Sequence, residues 1–87
     1  MKLMIIIVRD VDGETVVQAL VENGYRVTRM ASTGGFLRRG NVTLLTGVED
    51  SKIQNVFDLL RKACCPPEES QHQATIFVVD MPYFEQI

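Results

Sequence analysis

Hydrophobic positions change their spacing along this chain in a way that divides it into six elements. From Leu3 to Val8 every residue is apolar and most are isoleucine or valine, which is the chemistry of a strand buried on both sides; with Arg9 it predicts a strand over Leu3–Arg9. The spacing then turns helical. Val16, Val17, Leu20 and Val21 fall on one helical stripe, with Asp10 and Asp12 as candidate N-caps before it and Gly24 as the stop after it. Alternation returns over Tyr25–Ser32 and again over Asn41–Val48, predicting a second and a third strand. Ser51 and Gln54 have capping-box spacing and open a second helix, whose apolar stripe is Ile53, Val56, Phe57, Leu60 and Ala63. Pro66 and Pro67 cannot continue it. Ala74–Met81 reads as a fourth strand, and a short tail follows.

The order β-α-β-β-α-β is the ferredoxin-like, split βαβ arrangement, an α+β fold. It predicts one antiparallel sheet with both helices on one face. The first strand conflicts with a solvated second face: Leu3, Ile5 and Ile7 point one way, Met4, Ile6 and Val8 the other. The fourth strand is alike, with Ile76 and Val78 opposed to Phe77, Val79 and Met81. Two helices cover one face only, so the other is expected to bury itself against further copies of the chain.

Composition adds bounds rather than a function. Eighty-seven residues are read as a single domain, 1–87, and a chain this short buries only roughly 60–65% of its unfolded surface. A net charge of −2 gives no general field toward nucleic acid or an anionic membrane. The run Leu3–Val8 is too short to span a bilayer and has no signal-peptide cleavage site, so a cytoplasmic protein is expected. Cys64 and Cys65 are neighbours, and with His72 they complete no zinc pattern. They read as thiols at a helix end. His72 has no evident nucleophile partner, and Asp10 and Asp12 read as caps rather than an acid–base pair; no enzyme and no cofactor are expected. An RNA-recognition domain shares the element order, but "NVTLLTGV" and "LMIIIVR" lack its stacking aromatics.

The candidate chemistry sits between the second and third strands. Thr33 to Gly40 is longer than a hairpin needs. Gly34 and Gly35 permit close backbone approach, and successive amides in such a turn can cradle an anion. Phe36 and Leu37 are apolar where a solvated turn would be polar, and Arg38 and Arg39 could pair with phosphate. Arg26 and Thr28 share one side of the second strand, and Asn41 carries an amide suited to a base edge. Taken singly, each has a plainer reading: a turn for Gly34–Gly35, a packing residue for Phe36, a solvated pair for Arg38–Arg39.

Together these residues resemble a known family. "NGYRVTRMASTGGFLRRGNVTLLTGV", residues 23–48, is similar to the signature of PII-like proteins that act as cyclic di-AMP receptors, and the likeness extends to "MIIIVRDVD" and "IFVVDMPYFEQI". The resemblance implies a ferredoxin-like homotrimer with ligand pockets between subunits. Its pocket would be built from Arg26, Val27, Thr28, Phe36, Leu37, Asn41 and Gly47, with Gln86 as a further contact and the backbone of Gly34 and Gly35 shaping the loop. The chain departs from the pattern twice. The long insertion usual between the second helix and the last strand is reduced to about Cys65–Gln73, and Gly24 stands where many members carry asparagine.

The function so implied is a non-enzymatic, nucleotide-sensing signal-transduction trimer that binds cyclic di-AMP and is read by an effector protein not identified from sequence. The alternatives are a PII-like trimeric scaffold or interaction module that binds no nucleotide, or a pocket for another adenine nucleotide such as ATP.

Overall fold

A computed structural model of the chain describes residues 1–30, 40–64 and 73–87. Its elements are β1 (Lys2–Arg9), α1 (Asp10–Glu22), β2 (Thr28–Met30), β3 (Asn41–Val48), a 3₁₀ turn (Asp50–Lys52), α2 (Ile53–Ala63) and β4 (Ala74–Asp80). The β-α-β-β-α-β order expected from the apolar spacing is the order observed. The strands form one sheet, β2-β3-β1-β4, in which every neighbouring pair is antiparallel.

Register explains the two faces of the sheet. Met4, Ile6 and Val8 lie opposite Thr46, Leu44 and Val42, and all six are buried. Val16 and Leu20 of α1 and Val56 and Leu60 of α2 join the same buried cluster, so both helices cover this one face. The other face carries Leu3, Ile5 and Ile7, half-buried. Opposite them stand Gly47, Leu45 and Thr43 on β3 and Val79, Phe77 and Thr75 on β4. Phe77 and Val79 there are 53% and 47% exposed, an apolar surface of the kind that marks an interaction site.

Several local expectations are corrected. Asp10 and Asp12 are not N-caps: α1 begins at Asp10 and its capping position is Arg9. Asp12 is instead 1% exposed in the first turn, where Arg9 donates to it from Nε and Nη2 at 3.3 and 3.2 Å. An arginine at the strand end claims the carboxylate, and the negative charge also suits the helix N-terminus. Ser51 and Gln54 form no capping box, because a 3₁₀ turn takes up Asp50–Lys52 and the capping position of α2 moves to Lys52. Val21 leaves the apolar stripe and is 56% exposed. Among the described residues the second strand is paired only over Thr28–Met30, so Tyr25–Val27 lie outside the ladder. Gly24 does end the helix region as expected, with φ +86° directly after the C-cap Asn23, a conformation that favours glycine.

Candidate functional site

The short stretch between α1 and β2 sets the site. Tyr25 and Val27 are half-buried and pack on the core, whereas Arg26 between them is exposed. The alternation continues into β2, where Thr28 and Met30 lie opposite Leu45 and Thr43 on the apolar second face. Arg26 and Thr28 therefore share a side, as their spacing in sequence predicts.

An open cleft of about 490 Å³ lies on this side, within the usual range for a small-molecule site. Arg26, Thr28, Gly47 and Gln86 all line it. Gln86 comes from the C-terminal tail, and its Oε1 accepts a hydrogen bond of 2.9 Å from Arg26 Nη1. Gly47 forms part of the cleft, and a Cβ at this position would stand 3.1 Å from Met81 Cε. Tyr25 and Phe84 add aromatic surface. The Tyr25 hydroxyl is held by Asn55 Nδ2 of α2 at 2.8 Å. Leu3 and Leu45 also line the cleft, which makes it continuous with the apolar second face.

The electrostatics single out Arg26. Arg9 pairs with Asp12, Arg29 with Glu14 at 3.0 Å, and Arg61 with Asp58 at 2.9 Å. Among the described residues Arg26 is the one arginine with no carboxylate within 4 Å. Its partner is a neutral amide, so its positive charge is not neutralised and remains open to an anion.

Of the residues expected to bind ligand, four thus converge. Val27 packs against the core. Asn41 lies at the far end of β3, opposite Arg9, and six residue steps along the strand separate it from Gly47, about 20 Å. Gly34, Gly35, Phe36 and Leu37 lie outside the described residues, as do Cys65 and His72. Cys64 is buried at the end of α2, where its amide donates to the Leu60 carbonyl at 3.0 Å. Sequence reasoning did not single out Tyr25 or Thr46, both of which line the cleft. Tyr25 adjoins Arg26 in the signature and Thr46 adjoins Gly47, but their roles depend on partners far away in sequence.

A family model described as cyclic-di-AMP receptor matches residues 1–70. The chain belongs to this family. Membership implies sensing of cyclic di-AMP, and Arg26, Thr28 and Gly47 fall within the matched stretch, whereas Gln86 lies beyond it. The chain is also similar to a functionally unknown protein from Pediococcus pentosaceus ATCC 25745, known from its crystal structure. The two are 30% identical, with a TM-score of 0.79 over 99% of this chain and 96% of that one. Among the described residues, no helix is long and apolar enough to cross a membrane.

Proposed function

We propose that this protein is a non-enzymatic signal-transduction receptor that binds cyclic di-AMP in pockets between the subunits of a homotrimer. The observation that carries the reading is the state of Arg26: a guanidinium without a carboxylate partner among the described residues, in a cleft with Thr28, Gly47 and Gln86. A phosphodiester matches that cation and the Thr28 hydroxyl, and the aromatic surface of Tyr25 and Phe84 suits an adenine.

Two features support a site shared between copies. The cleft runs into the apolar face that carries Leu3, Leu45 and Phe77, so a second copy seated on that face borders the ligand. Asn41, which the family resemblance assigns to the pocket, lies about 20 Å along β3 from Gly47 within one chain, so a neighbouring copy supplies it. The family resemblance assigns Gly34, Gly35, Phe36 and Leu37 to the same ligand, and an effector protein reads the bound state.

Calorimetry and thermal melts with cyclic di-AMP, cyclic di-GMP and ATP, on the wild type and Arg26→Ala, test this reading. A site held at 100 times its dissociation constant stabilises by about 2.7 kcal/mol, a shift of roughly ten degrees or more for a chain this size. That shift is expected with cyclic di-AMP and not with Arg26→Ala. A larger shift with ATP would make the pocket one for another adenine nucleotide. A flat response to all three would overturn the receptor reading in favour of a trimeric interaction module, which the exposed Tyr83, Phe84 and Ile87 also suit.

A further inference from the structure

Arg26 needs a fixed backbone to present its charge, yet it lies outside the strand ladder. Regular pairing begins only at Thr28, opposite Leu45, and continuing that register places Val27 beside Thr46 and Arg26 beside Gly47. The sheet therefore leaves the Arg26 carbonyl without a ladder partner of its own. Thr46 supplies one: its Oγ1 donates to the Arg26 carbonyl oxygen at 2.6 Å. Thr46 is 2% exposed and sits on β3, an interior strand, where its backbone register with Met4 of β1 is fixed. The anchor is thus a buried side chain on a strand that is paired on both sides.

We infer that Thr46 is a positioning residue for ligand recognition, holding the Arg26 backbone through its hydroxyl so that the guanidinium projects into the cleft. This rests on the receptor reading above. Arg26 is then fixed at two points, at its carbonyl by Thr46 and at its guanidinium by Gln86. The first bond is part-buried and the second is exposed, so the second is the one open to exchange with a ligand. Such preorganisation raises affinity because the ordering of the binding group precedes ligand arrival.

Two substitutions separate positioning from mere stability. Thr46→Val keeps the shape and removes the hydroxyl, while Thr46→Ser keeps the hydroxyl and removes a methyl group. Titration calorimetry with cyclic di-AMP is expected to show about tenfold weaker binding for Thr46→Val. Thr46→Ser should return to within about twofold of wild type, a rescue that a packing role would not produce, since serine restores the donor and not the volume. In the ligand-free protein, NMR signals of the Arg26 guanidinium and the Gln86 side-chain amide should show their mutual contact in the wild type and Thr46→Ser, and lose it in Thr46→Val. Equal affinity in Thr46→Val and wild type, or an unchanged Arg26–Gln86 contact, would overturn the inference. A wild type that binds no nucleotide, with the contact still lost in Thr46→Val, would overturn the receptor reading and leave the anchoring of Arg26 standing.

Discussion

Arg26 and Gln86 stand 60 residues apart in the chain and are joined by a 2.9 Å hydrogen bond across the mouth of the cleft. Among the described residues, this is the one hydrogen bond that ties the tail beyond Met81 to the body of the protein. The cation of the cleft and the tail that borders the cleft are thus in direct contact.

Removing either partner has different consequences. Arg26→Ala deletes a charge that a phosphate needs, and binding of cyclic di-AMP is expected to fall by about 30- to 100-fold, the equivalent of roughly 2–3 kcal/mol for a charge-assisted contact. Gln86→Ala removes one neutral contact while freeing the guanidinium, so a loss of about tenfold or less is expected. Calorimetry on the two variants checks the ranking, and equal losses would contradict it.

Gly24 borders the cleft with room beside it. A Cβ built there meets nothing within 4 Å, although φ is +86°. Asparagine tolerates this backbone better than other side chains. Gly24→Asn should therefore fold with a cost of about 1 kcal/mol or less and bind cyclic di-AMP more tightly, by adding the side-chain amide that the family resemblance implies at this position. Gly24→Val should lose stability without that gain, because a β-branched residue resists positive φ. Paired melts and titrations distinguish the two.

Two threonines on one strand should respond oppositely to the same change. Among the described residues Thr43 Oγ1 is buried without a hydrogen-bond partner, so Thr43→Val removes an unsatisfied polar atom and is expected to raise stability by about 1 kcal/mol. Thr46→Val breaks a 2.6 Å bond and is expected to lower stability by about 1–2 kcal/mol. Each kcal/mol shifts the midpoint by about 4–8 °C in a domain this small, so the two variants should melt on opposite sides of the wild type.

Acid should unlock one clasp between the ends of the sheet's outer pair. Lys2 donates to Asp80 across β1 and β4. The hydrogen bond from Lys2 and then its charge lower the Asp80 pKa, and the same pair raises that of Lys2. A depressed carboxylate pKa stabilises above its unfolded value and loses that contribution as pH falls through the folded one. A raised lysine pKa stabilises below its unfolded value and loses that contribution as pH rises through the folded one. Both groups are exposed, so the effect is small. Asp80→Asn should melt slightly below the wild type at neutral pH. The gap should close in strong acid, below the usual carboxylate range, and again in strong alkali. A gap that persists in acid would place its origin elsewhere.

Local chemistry was enough to determine much of this protein. The switch from alternating to helical spacing located the helices and strands, and the two-sided apolar character of Leu3–Val8 announced a second apolar face, because side chains two apart in a strand must share a side. The same rule put Arg26 and Thr28 together, and the signature around them pointed to the family. What sequence could not supply depended on which distant groups compete for each polar atom. Arg9 drew Asp12 away from a capping role, and a 3₁₀ turn displaced the Ser51–Gln54 box, since a cap is decided by its rivals as well as its spacing. Only the packed sheet brought Gln86 to Arg26 and set Thr46 beneath the Arg26 carbonyl. Both contacts join elements remote in the chain, and they follow from how the strands pair: β3 with the start of β2 for Thr46, and β4 with β1 for the tail that carries Gln86.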